Sequence, residues 1–445
     1  MPKGGSTRLP RFGCILRPMV SKPVQAALLH VDIDAFFVSV ERLEGRAPEG
    51  VPVAVAGVGK RAVVASASYE ARRFGVRSAQ PVALARRLCP QCVFVPPRFE
   101  DYRRYSAKVM EVLSGYGPTE PASLDEAYVD VRPLLDRSSV SHRSLQGRHL
   151  RDNGNSVSKV FASLQRSGPA AAAGSSTAAI EALAAEISSR LRETTGLSCS
   201  IGGGSTRLVA KVAAEKAKPG GRLVLEPERE LDFLAGLPLA EIPGVGPALR
   251  EAVSRLGVWK LGDLRRIPFD TLVGVVGRSR AAYLMETAWN RGPSKVTPIW
   301  EGIPKKSVGV ETTFETDLQV GPELDARLLQ IADRLAERLR ASGLACRTAA
   351  LKVRFSDMKT VTRSLRLPAP TDTAFDLYRA ARAELSALAG RKKIRLVGVR
   401  AESLWKGHGQ ISLLDETAQK VVRAEAAVDA IRKKFGHHAV GFGLE

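Results

Sequence analysis

Two short acidic motifs offer the clearest chemistry: His30-Val-Asp32-Ile-Asp34 and Ser123-Leu-Asp125-Glu126-Ala-Tyr128. On an extended strand the period of two places Asp32 and Asp34 on one face, with Ile33 on the other. Asp125 and Glu126 are adjacent, so both can serve one site only at a turn or a strand edge. Carboxylates gathered in this way repel one another and are tolerable only if cations neutralise them. Hard oxygen donors of this kind suit Mg²⁺. Two such ions roughly 3.5–4 Å apart form the usual clamp for in-line displacement at phosphorus. Either motif alone reads as a solvated strand end or a surface turn; together with a third motif they point to phosphoryl chemistry.

That third motif is Ser66-Ala-Ser-Tyr69-Glu-Ala-Arg72-Arg-Phe-Gly75. Tyr69 and Arg72 are three apart on a short helix and share a face, with Ser66 just ahead of it. A hydroxyl, a phenol and a guanidinium converging near a helix start make a grip for a triphosphate. Lys218, at the end of a later helix, adds a point charge for the same phosphates, and Lys211 lies two turns earlier on the same face. The formal net charge of +21 suggests a polyanionic partner, nucleic acid first. No long amphipathic basic helix favours a membrane surface, and no apolar run approaches the ~18 residues of a membrane span. The five cysteines are scattered and odd in number, which suggests a reducing compartment rather than a disulfide framework. Cys89-Pro-Gln-Cys92 lacks the second ligand pair that a structural zinc site needs.

The elements that must position these residues can be read from pattern. Residues 26–31 form a buried strand entering Asp32. Residues 51–56 and 61–67 are strands split by a glycine turn, and Ser68 caps a helix that ends at Gly75. A helix over 100–115 leads to a strand over 123–131. Residues 133–178 are rich in Ser, Gly and Ala and read as a disordered surface insertion. A helix over 178–194, a strand over 197–202 and a helix from Thr206 to Lys218 follow, ending at Pro219-Gly-Gly221. Residues 228–292 are helical, with Ile242-Pro-Gly-Val-Gly246 as a hairpin between helices. Beyond a Pro-containing linker comes strand, helix, two strands, helix and strand over 306–404, a module of ordinary domain size.

HVDIDAFF, SYEARRFGVRS, SLDEAY and AKPGG, in this order, resemble the Y-family DNA polymerases, most closely their DinB branch. The similarity runs from about Leu29 to the C-terminus, interrupted by the insertion. It implies an α+β multidomain fold: a right-hand polymerase with palm, fingers and thumb plus a C-terminal little finger. The corresponding ranges are a basic arm at 1–26 and a palm over 27–36 and 97–225. Fingers at 37–96, a thumb at 226–294, a linker at 295–304 and a little finger at 305–404 follow, and a clamp-binding peptide and helix occupy 405–445. Met19 offers a second possible start.

By the same resemblance Asp32, Asp125 and Glu126 are catalytic and hold two Mg²⁺ ions, for which Mn²⁺ can substitute, with the Ile33 carbonyl as a further ligand. Phe36, Phe37, Ser66, Tyr69, Arg72 and Lys218 contact the incoming nucleotide, and Phe37 is the steric gate under the sugar. Lys211, Gly244 and Gly246 touch DNA, the glycines through a helix-hairpin-helix. Lys352, Arg354, Lys359, Arg363 and Arg366 form a phosphate track on the little finger. Gln410, Leu413 and Leu414 resemble a peptide for the sliding clamp (its beta subunit). The implied partners are primer-template DNA, dNTPs and that clamp, with no membrane; the implied protein is a monomer of the bacterial cytoplasm, associated with the nucleoid.

The implied activity is low-fidelity translesion synthesis without a proofreading exonuclease. A catalytically dead relative acting as a DNA-binding protein would have lost the acids, and all three stand here. A UmuC-like or deoxycytidyl-transferring branch fits the C-terminal layout less well. One departure is notable: Thr206-Arg207 stands where the family usually has Asn-Lys, which retains the charge but puts the asparagine's contacts in doubt.

Overall fold

A computed structural model describes residues 27–135, 174–302, 305–388, 392–407, 416–436 and 439–441. The chain divides into two compact units. The first takes in residues up to Val55, Ser66–Phe74 and Cys92–Gly302; the second takes in Ala56–Ala65, Gly75–Gln91 and the chain from Ile303 onward.

The first unit is built on a five-stranded sheet. Its strands are β1 (Leu28–Ile33), β5 (Thr119–Pro121), β6 (Glu126–Asp130), β7 (Cys199–Gly204) and β8 (Arg222–Val224), in the order β5-β6-β1-β7-β8. Every residue of β1 is buried, as a central strand covered on both faces requires. Among the helices of this unit are α1 (Phe36–Leu43), the short α2 (Tyr69–Arg73), α4 (Phe99–Ser114), α6 (Gly174–Thr195) and α7 (Arg207–Ala217). Strands β2 (Val53–Ala56), β3 (Val64–Ala67) and β4 (Val93–Val95) form a small separate sheet, with helix α3 (Val82–Leu88) preceding β4 and α5 (Arg132–Leu135) following β6.

Helix α7 packs directly on the backbone of β7. A Cβ added at Gly202 would lie 2.1 Å from the Ala210 carbonyl oxygen and 2.1 Å from the Ala214 nitrogen, so the glycine run 202–204 permits this approach. Thr206 caps α7 by accepting from Val209 N at 3.3 Å. The helical segment expected over 228–292 contains α8 (Pro227–Gly236), α9 (Pro247–Ser254), α10 (Phe269–Val276) and α11 (Arg278–Ala288), joined by short 3₁₀ turns around one apolar core.

The second unit carries a four-stranded antiparallel sheet in the order β11-β10-β12-β9, from β9 (Ser307–Leu318), β10 (Leu344–Phe355), β11 (Thr360–Thr371) and β12 (Ile394–Lys406). Helices α12 (Pro322–Ala341) and α13 (Ala374–Leu388) cover one face, burying Leu328, Leu335, Leu351, Val399 and Leu377. These six elements fall where the sequence pattern places them. Helix α14 (Glu416–Phe435) is fastened to α12 by buried ion pairs: Arg340 binds Glu425 and Asp429, and Arg432 meets Asp333 at 2.6 Å. Glu425 also accepts from the Ala374 amide at 2.8 Å, capping α13.

No described helix is long and apolar enough to cross a membrane. Most of the 133–178 insertion lies outside the described residues, as do the 1–26 arm and Gln410, Leu413 and Leu414.

Candidate active site

Strand register brings the acids together. Asp32 on β1 stands directly opposite Glu126 on β6, and Ile33 N donates to the Asp125 carbonyl at 3.0 Å. Asp125 lies in the bend just before β6, and Glu126 is the first residue of that strand. The neighbouring acids thus serve one strand end, as the adjacency of the DE pair demands.

Each carboxylate has a partner from the chain itself. Lys218 Nζ is 2.8 Å from Asp32 Oδ2, and Lys211 Nζ is 2.5 Å from Glu126 Oε2. Ser123 Oγ donates to Asp125 Oδ1 at 2.5 Å. Among the described residues no group of three or more His, Cys, Asp or Glu side chains is arranged to hold a metal ion.

The electrostatics still favour a cation. Burial, with Glu126 and Asp125 nearby, pushes the Asp32 carboxyl up to about 7 against the pull of Lys218. Glu126 is held down to about 2 by the His30 imidazole and the Lys211 ammonium, although it is partly desolvated. The His30 ring nitrogen stands 3.6 Å from Glu126, long for a hydrogen bond, so Lys211 is the firmer partner. Burial keeps His30 itself below its usual value. Negative charge crowded against an apolar sheet is the environment that divalent cations relieve, and the donors are hard oxygens.

The triphosphate candidates lie on neighbouring elements. Ser66 is buried on β3. Tyr69 and Arg72 share α2, whose N-cap Ser68 accepts from Ala71 N at 3.2 Å. The Arg72 guanidinium lies 4.6 Å over the Tyr69 ring, and its Nε donates to the Ala67 carbonyl at 3.0 Å. The Tyr69 hydroxyl donates to Asp34 Oδ1 at 3.0 Å; burial and that carboxylate raise the phenol above its ordinary value. Phe37 on α1 stacks on Tyr102 of α4 at 4.1 Å and 11°, with Phe99 edge-on at 5.7 Å. Tyr102 is fixed in turn by donating to Glu41 at 2.6 Å, so the Phe37 ring has a set orientation.

The chain matches the model of the impB/mucB/samB family over residues 31–215 and that family's C-terminal domain over 305–413. It is 39% identical over 387 residues to the DNA polymerase IV of Alkalilimnicola ehrlichii, covering 85% of this chain and 96% of that one. It is 36% identical to the DNA polymerase IV of Streptomyces coelicolor, covering 85% of this chain and 71% of that one. A solved Y-family DNA polymerase chimera superposes with a TM-score of 0.69 at 24% identity, over 85% of this chain and 99% of that one. DinB from Sulfolobus solfataricus does so with 0.51, again at 24% identity and over 85% and 99% of the two chains. The chain belongs to the Y-family DNA polymerases, on the DinB branch. Its palm, fingers, thumb and little-finger architecture is that of the Y-family fold.

Within this Y-family fold several expected positions differ. Asp34 lies just past the end of β1 at Ile33, before Ala35 turns the chain at φ 44°, yet it keeps to the side of Asp32: Asp34 N still pairs with Ser198 O at 2.9 Å, and Ser200, the ladder partner of Asp32, donates to Asp34 Oδ1 at 2.8 Å. The Phe36 side chain is only 2% exposed and packs in the core, which leaves its backbone at the start of α1 as the part that could meet a nucleotide. Arg363 pairs across the ladder with Leu351, which faces the helices, whereas Lys352 pairs with Thr362 and Gly398 on the opposite face. Lys352, Arg354 and Arg366 therefore share a face that Arg363 leaves. Arg400, opposite Ala350, joins that face and was missed; strand alternation from Lys352 would have found it once the β10–β12 pairing was known. Lys211, like Lys218, is paired with an acid of the cluster, Glu126.

The Thr206-Arg207 pair has defined partners. Arg207 grips Glu120 through two contacts of 2.8 Å and lies 4.2 Å over the Tyr128 ring. Thr206 donates to Asn290 at 2.6 Å. Gly244 has φ +80°, and a Cβ there would meet the Tyr283 hydroxyl at 3.3 Å, so the hairpin turn favours glycine. Gly246 is the N-cap residue of α9. Cys89 and Cys92 are buried thiols.

Proposed function

We propose that this chain is a template-directed DNA polymerase that adds dNTPs to a primer 3′ end during translesion synthesis, with low fidelity and without proofreading. The observation that carries this is the strand end where Asp32 faces Glu126 and Asp125 closes the turn beside Ile33. Relatives named DNA polymerase IV, matched over most of their length, support it.

Asp32, Asp125 and Glu126, with the Ile33 carbonyl, would hold divalent cations, Mg²⁺ by preference. Such ions, when bound, stabilise the attacking and leaving oxygens of an in-line displacement at phosphorus. Lys218 and Lys211, now paired with Asp32 and Glu126, are placed to turn toward phosphates once those acids are neutralised otherwise. Ser66, Tyr69 and Arg72 bind the triphosphate. Phe37, held rigid by Tyr102, excludes a 2′-hydroxyl by its bulk. Gly244 and Gly246 present backbone N–H groups to a DNA phosphate, and Lys352, Arg354 and Arg366 follow the duplex backbone. Gln410, Leu413 and Leu414 tether the enzyme to the sliding clamp, raising its effective concentration at the primer end.

The test is primer extension on a defined template with single dNTPs. The expected result is template-directed addition that requires Mg²⁺, with the labelled primer left intact when dNTPs are withheld. Steady 3′→5′ shortening by clean protein, or no extension with metal present, would overturn the proposal.

A further inference from the structure

Asp34, two residues past Asp32, is a densely hydrogen-bonded carboxylate beside the three acids of the strand end. It is 5% exposed and accepts from four donors on three segments of the chain. Tyr69 Oη at 3.0 Å and Ser200 Oγ at 2.8 Å donate to Oδ1. Ser198 Oγ and Gly220 N, each at 2.9 Å, donate to Oδ2. Its backbone is fixed as well: Asp34 N donates to Ser198 O at 2.9 Å, and Ser39 Oγ donates to Asp34 O at 2.7 Å.

A carboxylate offers about four lone-pair sites, and all are used here. A metal ion would have to displace these donors, and the fully buried Ser200 hydroxyl would lose its acceptor. The donors come from separate parts of the proposed nucleotide grip. Tyr69 lies on α2, beside Arg72. Gly220 is two residues past Lys218, whose ammonium reaches Asp32 at 2.8 Å. Ser200 lies on β7 between them and itself accepts from Gly220 N at 3.0 Å.

Resting on the polymerase reading above, we propose that Asp34 is a positioning residue for the incoming nucleotide: it locks Tyr69 and the Lys218–Gly220 turn into one geometry and touches neither metal nor substrate. A phenol has one proton: without nucleotide Tyr69 donates it to Asp34, and the hydroxyl can then rotate to donate it to a phosphate oxygen from the position Asp34 has held. The ring and its oxygen are thereby placed before the triphosphate arrives, so the cost of ordering them is not taken from dNTP binding. Asparagine can reproduce much of the arrangement. Its carbonyl can face Gly220 N and Ser198, while its amide donates to the Tyr69 and Ser200 hydroxyls, which can turn to accept. Alanine can make none of these bonds.

Steady-state primer extension with Mg²⁺ and dNTP varied separately decides the matter. Asp34→Ala should raise KM for dNTP by about 10- to 100-fold, with kcat changed far less, since uniform binding energy is what is lost. Asp34→Asn should recover most of that loss, and neither should change the Mg²⁺ concentration that gives half the rate. Tyr69→Phe should raise KM in the same way, and its effect should largely vanish in the Asp34→Ala background. If Asp34→Ala does not fold, Ser200→Ala replaces it in the same cycle, with the same non-additivity expected. A fall in kcat of about 10³-fold with a shifted Mg²⁺ requirement would make Asp34 a metal ligand and overturn the proposal. Fully additive effects of the Asp34 and Tyr69 changes would overturn it as well. Failure of the wild type to extend primers would instead sink the polymerase reading itself.

Discussion

The acid end of β1 and β6 in the first unit and the helix-free face of the sheet in the second carry opposite charges in opposite ways. Asp32 is 6% exposed and is held by a single lysine at 2.8 Å. Lys352 also has a partner, Glu311 at 2.7 Å, but its side chain is 35% exposed and that of Glu311 54%. The first pair lies where desolvation is strong and a lost partner leaves an uncompensated charge. The second is screened by water and salt and contributes little to stability. On the proposed reading, charge that holds a reacting centre is buried and individually paired, and charge that follows a polymer is spread along a ladder and exchangeable. One region should therefore be sensitive to single substitutions, the other to their number and to ionic strength.

The sharpest break between the two would come from the acids. Glu126→Gln should cost on the order of 10³-fold or more in primer extension, since it removes a charge that acts with its neighbours as a unit. Binding to primer-template should be nearly unchanged, measured by fluorescence anisotropy, because the basic face is intact. Near-normal extension by this variant would erase the contrast.

A smaller, graded effect belongs to the basic face. Replacing Lys352, Arg354 and Arg366 together by Ala should weaken DNA binding and lower the slope of log K against log salt by roughly 2–3, since each phosphate contact contributes about 0.9. Arg363→Ala should change the slope least, because its ladder partner Leu351 places it on the other side of the sheet. Equal slopes for Arg363 and Lys352 single variants would show that strand face does not sort these residues.

Which features were legible in the sequence follows from how local their causes are. The Ser68 cap, the stop after Lys218 and the strand-helix order of 306–404 rest on neighbours along the chain, and each stands where its pattern places it. The DE pair was legible for a similar reason, since adjacency alone demands a strand end. The shared side of Asp32 and Asp34 was legible because the period of two persists through the Asp34–Ser198 contact, one residue past the end of β1. Phe36 and Phe37 look alike in sequence; only the packing of Tyr102 and Phe99 separates a core ring from one on the surface of α1. Arg363 fell on the wrong face because the register across β10 and β11, rather than composition, assigns sides. The grip of Arg207 on Glu120 spans 87 residues, and nothing local announces it.

On the proposed reading Asp32, Asp125 and Glu126 together hold the divalent cations of the reaction. Its most direct test is Mn²⁺ binding, followed by electron paramagnetic resonance, to the protein with primer-template and a non-hydrolysable dNTP. The wild type should take up two tightly held ions. Asp32→Asn, Asp125→Asn and Glu126→Gln combined should take up none above the level of DNA and nucleotide alone, with primer-template still bound. Unchanged Mn²⁺ uptake by the triple variant would show that these acids do not hold the ions.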